Sequence, residues 1–350
     1  MSGGVDSSVA ALLMKNEGYE CIGCTMKLYS REEAGISSER TRCSLDDVED
    51  AEKVAAMLGM PHYIVDFSCD FRNEVIGRFI KCYQQGMTPN PCIDCNRYMK
   101  FGMLFDKAKQ MGCGCVVTGH YARVEEKDGI FTLKKALDPS KDQSYVLYTI
   151  TQEQLRMAKF PLGGMSKAEA RHIAEQNGLV NADKPDSQDI CFVPDGDYAR
   201  VIEKYTGEKS LPGNFVDGEG KILGKHKGII RYTVGQHRGL GLSLPETMYV
   251  VEIRTETNEV VLGKSEELFT DTCIVKNFNW ISGTAPCGSI RCSAKTRYRQ
   301  PEKPATASVR EDGSVVIRFD EPVRAITPGQ SAVLYDGDTV LGGGKITGKN

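Results

Sequence analysis

No apolar run in this 350-residue chain approaches the ~20 residues that a membrane-spanning helix needs. The N-terminus also lacks the basic-then-apolar pattern of a secretory signal. Together these absences predict a cytoplasmic protein. Internal repeats and low-complexity segments are missing too, which argues against a solenoid or a long disordered tail. The net charge of −3 provides no overall cationic field for nucleic acid.

What is present fits a multidomain enzyme. The length exceeds the ~250–300 residues at which one hydrophobic core stops growing, so two or three domains are expected. The thirteen cysteines are an odd number, in a chain too large to need disulfide staples. In a reducing compartment most act as small buried hydrophobes and only a few as chemical groups.

The first half alternates strand-like and helix-like runs. Strands are predicted over 20–28, 62–67 and 115–121, and helices over 44–59, 71–86 and 96–112. Ser44 reads as the N-cap of the first of these helices, with Asp47 three residues later. The alternation predicts a doubly wound α/β parallel sheet covered on both faces. After Leu211 the chain turns to short strands, at 248–253, 259–263, 289–298, 314–319 and 331–335. Turn dipeptides such as Asp217-Gly218, Asp312-Gly313 and Asp336-Gly337 separate them. The predicted organisation is a catalytic domain over 1–208, a small central domain over 209–270 and a β-barrel over 271–350.

The chain opens with Met1-Ser2-Gly3-Gly4-Val5-Asp6-Ser7, running into a helix that ends near Gly18. Such a loop offers backbone N–H groups and a helix N-terminus to phosphate. It is not the P-loop, because no Gly-Lys-Ser/Thr follows. It resembles the pyrophosphatase loop of the N-type ATP pyrophosphatases, of the adenine nucleotide alpha hydrolase-like fold. That loop ordinarily follows a central strand, so the first strand of the sheet is expected upstream of Met1.

TPNPCIDCNRYMKF, residues 88–101, places Cys92 and Cys95 ahead of a helix. Read alone, the pair allows a disulfide, half a zinc site, a reactive thiol with a helper, or cluster ligands. Cys21 and Cys24 form a second C-x-x-C, but on a strand residues three apart face opposite ways, so these two read as core. Two basic segments, 221–238 and 291–303, read either as solvated strand faces or as phosphate-contacting surface.

In order along the chain come SGGVDSS, NPCIDCN, TGHYAR, DPSKDQSYVLY, KPDSQDICF, GQHRGLGL, KTRYRQ and TPGQSAVLY. Their order and spacing resemble the bacterial tRNA-specific 2-thiouridylase family over essentially the whole chain. The resemblance implies ATP-dependent thiolation of the wobble uridine, position 34, in tRNAs for Lys, Glu and Gln. It implies Cys191 as carrier of a persulfide and Cys95 as the partner thiol. ATP, brought with Mg²⁺, would meet Met1 to Ser7, with Met26 beside the adenine and Gly119 beyond the next strand. Asn90, Pro91 and Cys92 would line the target base. His120, Lys141, Asp142, Gln143, Arg297, Tyr298 and Gln330 would contact the RNA, and the basic segments read as part of that surface. The sulfur donor would be a cysteine desulfurase or a relay of small carriers, and the protein a monomer on its tRNA.

One departure stands out. The best-known relatives carry aspartate at position 92, and a thiol of reference pKa about 8.5 replaces a carboxyl of about 3.9. Proton handling then moves elsewhere, Asp94 being a candidate, or Cys92, Cys95 and Cys191 together hold a [4Fe–4S] cluster or, less readily, zinc; Cys92 also reads as a spare resolving thiol or a tolerated substitution. Two other functions stay open: a small-metabolite synthetase of the ATP pyrophosphatase class, which shares the loop, and a non-catalytic tRNA-binding protein that has lost its nucleotide site.

Overall fold

The computed structural model describes residues 1–29, 45–185, 190–193 and 195–349. Helices Val5–Asn16, Leu45–Met57 and Lys167–Gln176 alternate with parallel strands in the first half. Gly23–Lys27 pairs in parallel with His62–Asp66, and Val116–Val117 with Ala158–Lys159. Among the described residues the parallel sheet thus comes as two separate pairs. The N-terminal segment lies against the first: the Thr25 hydroxyl donates to the Met1 carbonyl at 2.9 Å, and the Met1 ammonium to the Cys24 carbonyl. Ser44, the predicted cap, lies outside the described residues.

Two long helical segments organise this half. Residues 68–84 and 91–110 each pass through a π-helical stretch, Arg72–Gly77 and Cys95–Met103 respectively. The second begins at Pro91, ahead of the predicted start at 96. Asn90 accounts for the difference. Its side chain accepts the Cys92 N–H at 3.2 Å, and Pro91 fills the first helical position, where a missing N–H costs nothing. Ile93, Phe101 and Phe105 enter a core shared with Tyr145, Val333 and Tyr335. Met99 enters a different core with Phe71, Phe79 and Phe192. Each such side chain removed from water contributes ~1.5–3 kcal/mol.

The strand predicted over 115–121 is only Val116–Val117. The chain then makes an antiparallel hairpin, Ala122–Lys127 with Ile130–Lys135, turned at Asp128-Gly129 with positive φ at both residues. Lys134 of this hairpin lies opposite Thr339, so the first half lends two strands to the C-terminal sheet.

In the second half, Gly213–Val216, Ile222–His226, Tyr249–Arg254 and Glu259–Gly263 form a four-stranded sheet. The strands from Phe269 to Lys349 close into a barrel, because Phe269–Trp280 pairs with both Val315–Arg324 and Thr339–Lys349. No helix among the described residues is long and apolar enough to cross a membrane.

The barrel touches the candidate site through one loop. The Thr88 N–H donates to the Pro328 carbonyl at 2.9 Å. Gly329 beside it has φ +89°, and a methyl group there would fall 2.8 Å from the Thr88 nitrogen and 3.0 Å from the Cys82 sulfur. Gly329→Ala should therefore lower stability by about 1–3 kcal/mol in urea unfolding. Unchanged unfolding would show that this approach is not as close as described.

Candidate active site

The loop at the N-terminus is built from its own polar groups and braced from behind. The Ser2 N–H donates to the Ser7 hydroxyl at 3.1 Å, and that hydroxyl to the Gly4 carbonyl at 3.0 Å. Gly4 precedes the helix that Val5 opens, and Val5 is buried. The first N–H groups of that helix and its dipole favour an anion in front of the loop. Asp6 points the other way: its carboxylate accepts the Tyr121 hydroxyl at 2.9 Å and the Lys167 ammonium at 2.6 Å. The Gly3 carbonyl accepts the Asn181 amide at 3.0 Å and the Lys184 ammonium at 3.2 Å. Lys184 is paired in turn with Asp47 and Asp50, at 2.6 and 2.8 Å. A methyl at Gly119 would lie 2.7 Å from the Asp6 carbonyl carbon, so the Thr118–Tyr121 turn packs directly on the loop. Lys167, Asn181 and Lys184 are the functional neighbours that sequence reasoning missed. The only signals were Ser166 with Glu169, a capping box just ahead of a helix, and Lys184 at the head of KPDSQDICF.

The cysteines occupy different environments. Cys92 is exposed in the first turn of the 91–110 helix, while Cys95 and Cys191 are half-buried. Both of the latter pack against the cluster that holds Tyr29, Phe71, Phe79, Met99 and Phe192. Phe192 anchors the second sulfur, standing edge-on to Phe71 and Phe79 with centroids 5.8 and 5.2 Å away. The Tyr29 hydroxyl donates to the Cys191 carbonyl at 2.7 Å. Met26 borders the same cluster. Asp186 to Asp189, the polar run before Cys191, lie outside the described residues. Among the described residues no three His, Cys, Asp or Glu side chains converge closely enough to hold a metal ion. Cys92, Cys95 and Cys191 are therefore not gathered as a ligand set, and the donors do not fit a cluster or zinc here.

The residues that the resemblance assigns to tRNA meet in one region but differ in what they present. Tyr298 is 36% exposed; burial of its hydroxyl end and the nearby Asp142 and Cys92 charges raise its pKa. Its hydroxyl donates to the Asp142 carbonyl at 3.3 Å, and the Lys295 ammonium lies 5.6 Å from its ring centre. Several others are occupied in holding loops. Gln330 donates its amide to the Thr88 and Pro89 carbonyls at 2.9 and 3.3 Å, just ahead of Asn90 and the buried Pro91. The Asp142 carboxylate accepts from the Ala136 and Ser144 N–H groups, both at 3.1 Å. Gln143 accepts the Tyr121 N–H at 3.0 Å. Arg297 donates to the Val234 carbonyl at 2.9 Å and to the Thr327 hydroxyl. Lys141 is half-buried, its N–H bonded to the Asp138 carbonyl at 3.2 Å.

His120 is only 6% exposed, and its ring packs against both Phe101 and Phe160. Burial, reinforced by the Lys100 charge, keeps it well below the ordinary histidine range and hence neutral. Asp94 does not stand beside Cys92 as a substitute carboxylate. It is 6% exposed and lines a cavity with Arg78, Arg97 and Lys345, where burial raises its pKa against the pull of those cations.

The basic segments divide in the same way. Lys221, Lys225, Lys227 and Arg238 are exposed, whereas Arg231 is paired with Glu203 at 2.8 Å. Arg291 is paired with Asp320, and Lys295 and Arg297 are partly buried.

Comparison with known proteins agrees along the whole chain. Residues 1–195 match the family described as tRNA methyl transferase HUP domain. Residues 199–264 match its PRC-barrel domain, and residues 270–346 the aminomethyltransferase beta-barrel domain. The tRNA-specific 2-thiouridylase MnmA of Geotalea uraniireducens is 49% identical over 350 residues, 99% of this chain and 93% of that protein. Its namesake in Clostridioides difficile is 47% identical over 348 residues, 99% of this chain and 96% of that protein. An NMN synthetase structure from Francisella tularensis aligns at 17% identity and TM-score 0.34, over 60% of this chain and 76% of that one, too distant to add to these. With a braced phosphate loop and two half-buried cysteines on one apolar cluster, a chain so similar along its length belongs to the tRNA-specific 2-thiouridylase family.

Proposed function

We propose that this chain adenylates and then thiolates C2 of the wobble uridine in tRNAs for Lys, Glu and Gln, with Cys191 as persulfide carrier and Cys95 as partner thiol. The observation that carries this reading is the placement of both cysteines on one apolar cluster, far apart in sequence. Residues 1–208 hold the ATP chemistry, and 209–270 and 271–350 hold the tRNA.

ATP binds with its β- and γ-phosphates toward the N–H groups of Met1 to Ser7 and its adenine toward Met26. Mg²⁺ arrives with the nucleotide and offsets the phosphate charge. The uridine O2 attacks the α-phosphorus, the bond to the bridging oxygen breaks, and pyrophosphate leaves into the loop. The C2–O bond then carries AMP as its leaving group. The terminal sulfur of the Cys191 persulfide attacks C2 and AMP departs. The Cys95 thiolate next attacks the Cys191 sulfur, which releases 2-thiouridine and leaves a Cys95–Cys191 disulfide. A cellular dithiol reduces that bond, and a cysteine desulfurase or sulfur-relay protein reloads Cys191. Cys92, exposed beside Tyr298, lines the base niche with Asn90 and Pro91. The enzyme acts as a monomer in the cytoplasm.

In this scheme Cys191→Ser and Cys95→Ser should reduce 2-thiouridine, measured by nucleoside mass spectrometry, to background. Each should still release pyrophosphate when tRNA and ATP are added. Thiolation persisting in Cys191→Ser would contradict the persulfide role. On the tRNA side, Lys225→Ala with Lys227→Ala should weaken binding and make its log–log salt dependence shallower by about 2. An unchanged slope would place the phosphate contacts elsewhere.

A further inference from the structure

Two lysines touch the pyrophosphatase loop and are matched by carboxylates, and a third, Lys100, is linked to it through His120. Lys167 is paired with Asp6, and Lys184 with Asp47 and Asp50. Lys100 is not: among the described residues no carboxylate pairs with it. Its ammonium instead donates to His120 Nε2 at 3.3 Å. The opposite nitrogen, Nδ1, lies 2.7 Å from the Thr118 hydroxyl. With Nε2 accepting from an ammonium, Nδ1 carries the ring proton and donates to Thr118, so the ring is a fixed, neutral prop.

Position makes this cation interesting. Lys100 belongs to the π-helical stretch that starts at Cys95, where the i→i+5 register sets it one turn on from that cysteine. Its prop, His120, follows Gly119, which packs on the Asp6–Ser7 backbone. Lys100 therefore links the helix that carries Cys95, through His120 and Gly119, to the backbone of the phosphate loop. Asn96, one turn before it, is buried and fixed by a 3.0 Å bond to the Val146 carbonyl, which locks the helix in register. A half-buried ammonium held by a neutral partner has its charge available for an arriving anion.

We propose that Lys100 is a catalytic cation that contacts the α-phosphate of ATP while the adenylyl group passes to the uridine oxygen. This rests on the adenylation reading given above. As O2 bonds to the α-phosphorus and the bridging oxygen leaves with pyrophosphate, charge grows on the non-bridging oxygens. The ammonium donates hydrogen bonds to them and keeps its own protons throughout.

The test compares wild type, Lys100→Met and Lys100→Arg in tRNA-dependent pyrophosphate release, ATP affinity and thermal midpoint. Removing one such electrostatic donor costs about 10²–10³ in kcat. Lys100→Met should show that loss while its ATP affinity and melting temperature stay close to wild type, and Lys100→Arg should recover part of the rate. Pyrophosphate release by Lys100→Met at the wild-type rate would overturn the role. So would a loss matched by lost ATP binding and a lowered midpoint, since that marks a structural lysine. Wild-type chain releasing no pyrophosphate would instead overturn the adenylation reading, and the Lys100 role with it.

Discussion

Two apolar cores grip different faces of the 91–110 helix, and the placement of Cys95 and Lys100 follows from that grip. On one face Ile93, Phe101 and Phe105 are shared with the barrel; on another Met99 and Cys95 join the cluster beneath Cys191. Apolar burial is non-directional, so the grip alone would allow the helix to slide or rotate. The directional bonds remove that freedom. Asn90 caps the first turn, Asn96 bonds the Val146 carbonyl, and Gln330 holds the Thr88 and Pro89 carbonyls ahead of the cap. The barrel thus acts on the chemistry at a distance, by fixing the loop from which the cysteine helix starts.

Charge is handled differently at the two ends of the site. Around the phosphate loop Lys167 is matched by one carboxylate and Lys184 by two, and the Gly3 carbonyl is bonded by both Asn181 and Lys184. These contacts immobilise the backbone whose N–H groups must face an anion, without placing a carboxylate in front of it. Removing one partner would leave its mate buried and uncompensated, which costs more than the intact pair contributes. Lys100 breaks this pattern, supported by a neutral ring where its neighbours have carboxylates.

Much of the fold could be read from residue order, and the misses have identifiable causes. Alternating periods gave the α/β half, and apolar runs gave five strands of the β half, while Gly213–Val216, Ile222–His226, Phe269–Trp280, Lys303–Val309 and Thr339–Lys349 escaped. The 122–135 hairpin escaped although Asp128-Gly129 announced it, because its second strand pairs with a barrel strand more than two hundred positions away. The early helix start escaped because Asn-Pro reads equally as a turn; only the side-chain bond from Asn90 to Cys92 makes it a cap. Lys167 and Lys184 carried almost no local signal, since their meaning lies in contacts with the first residues of the chain. The basic run at 291–303 shows the limit of counting charge: Arg291 and Arg297 are spent on internal partners that composition cannot reveal. The proposed pairing of Cys95 with Cys191 came only from family resemblance, because nothing local to Cys95 points to Cys191.

That pairing is also where one observation says most. A chain loaded with persulfide, given tRNA and ATP for a single turnover without reductant, can be digested and its disulfides mapped by mass spectrometry. A Cys95–Cys191 bridge forming in step with 2-thiouridine is the predicted result. Thiouridine formed with Cys95 still reduced, or a bridge from Cys191 to Cys92 in its place, would contradict it.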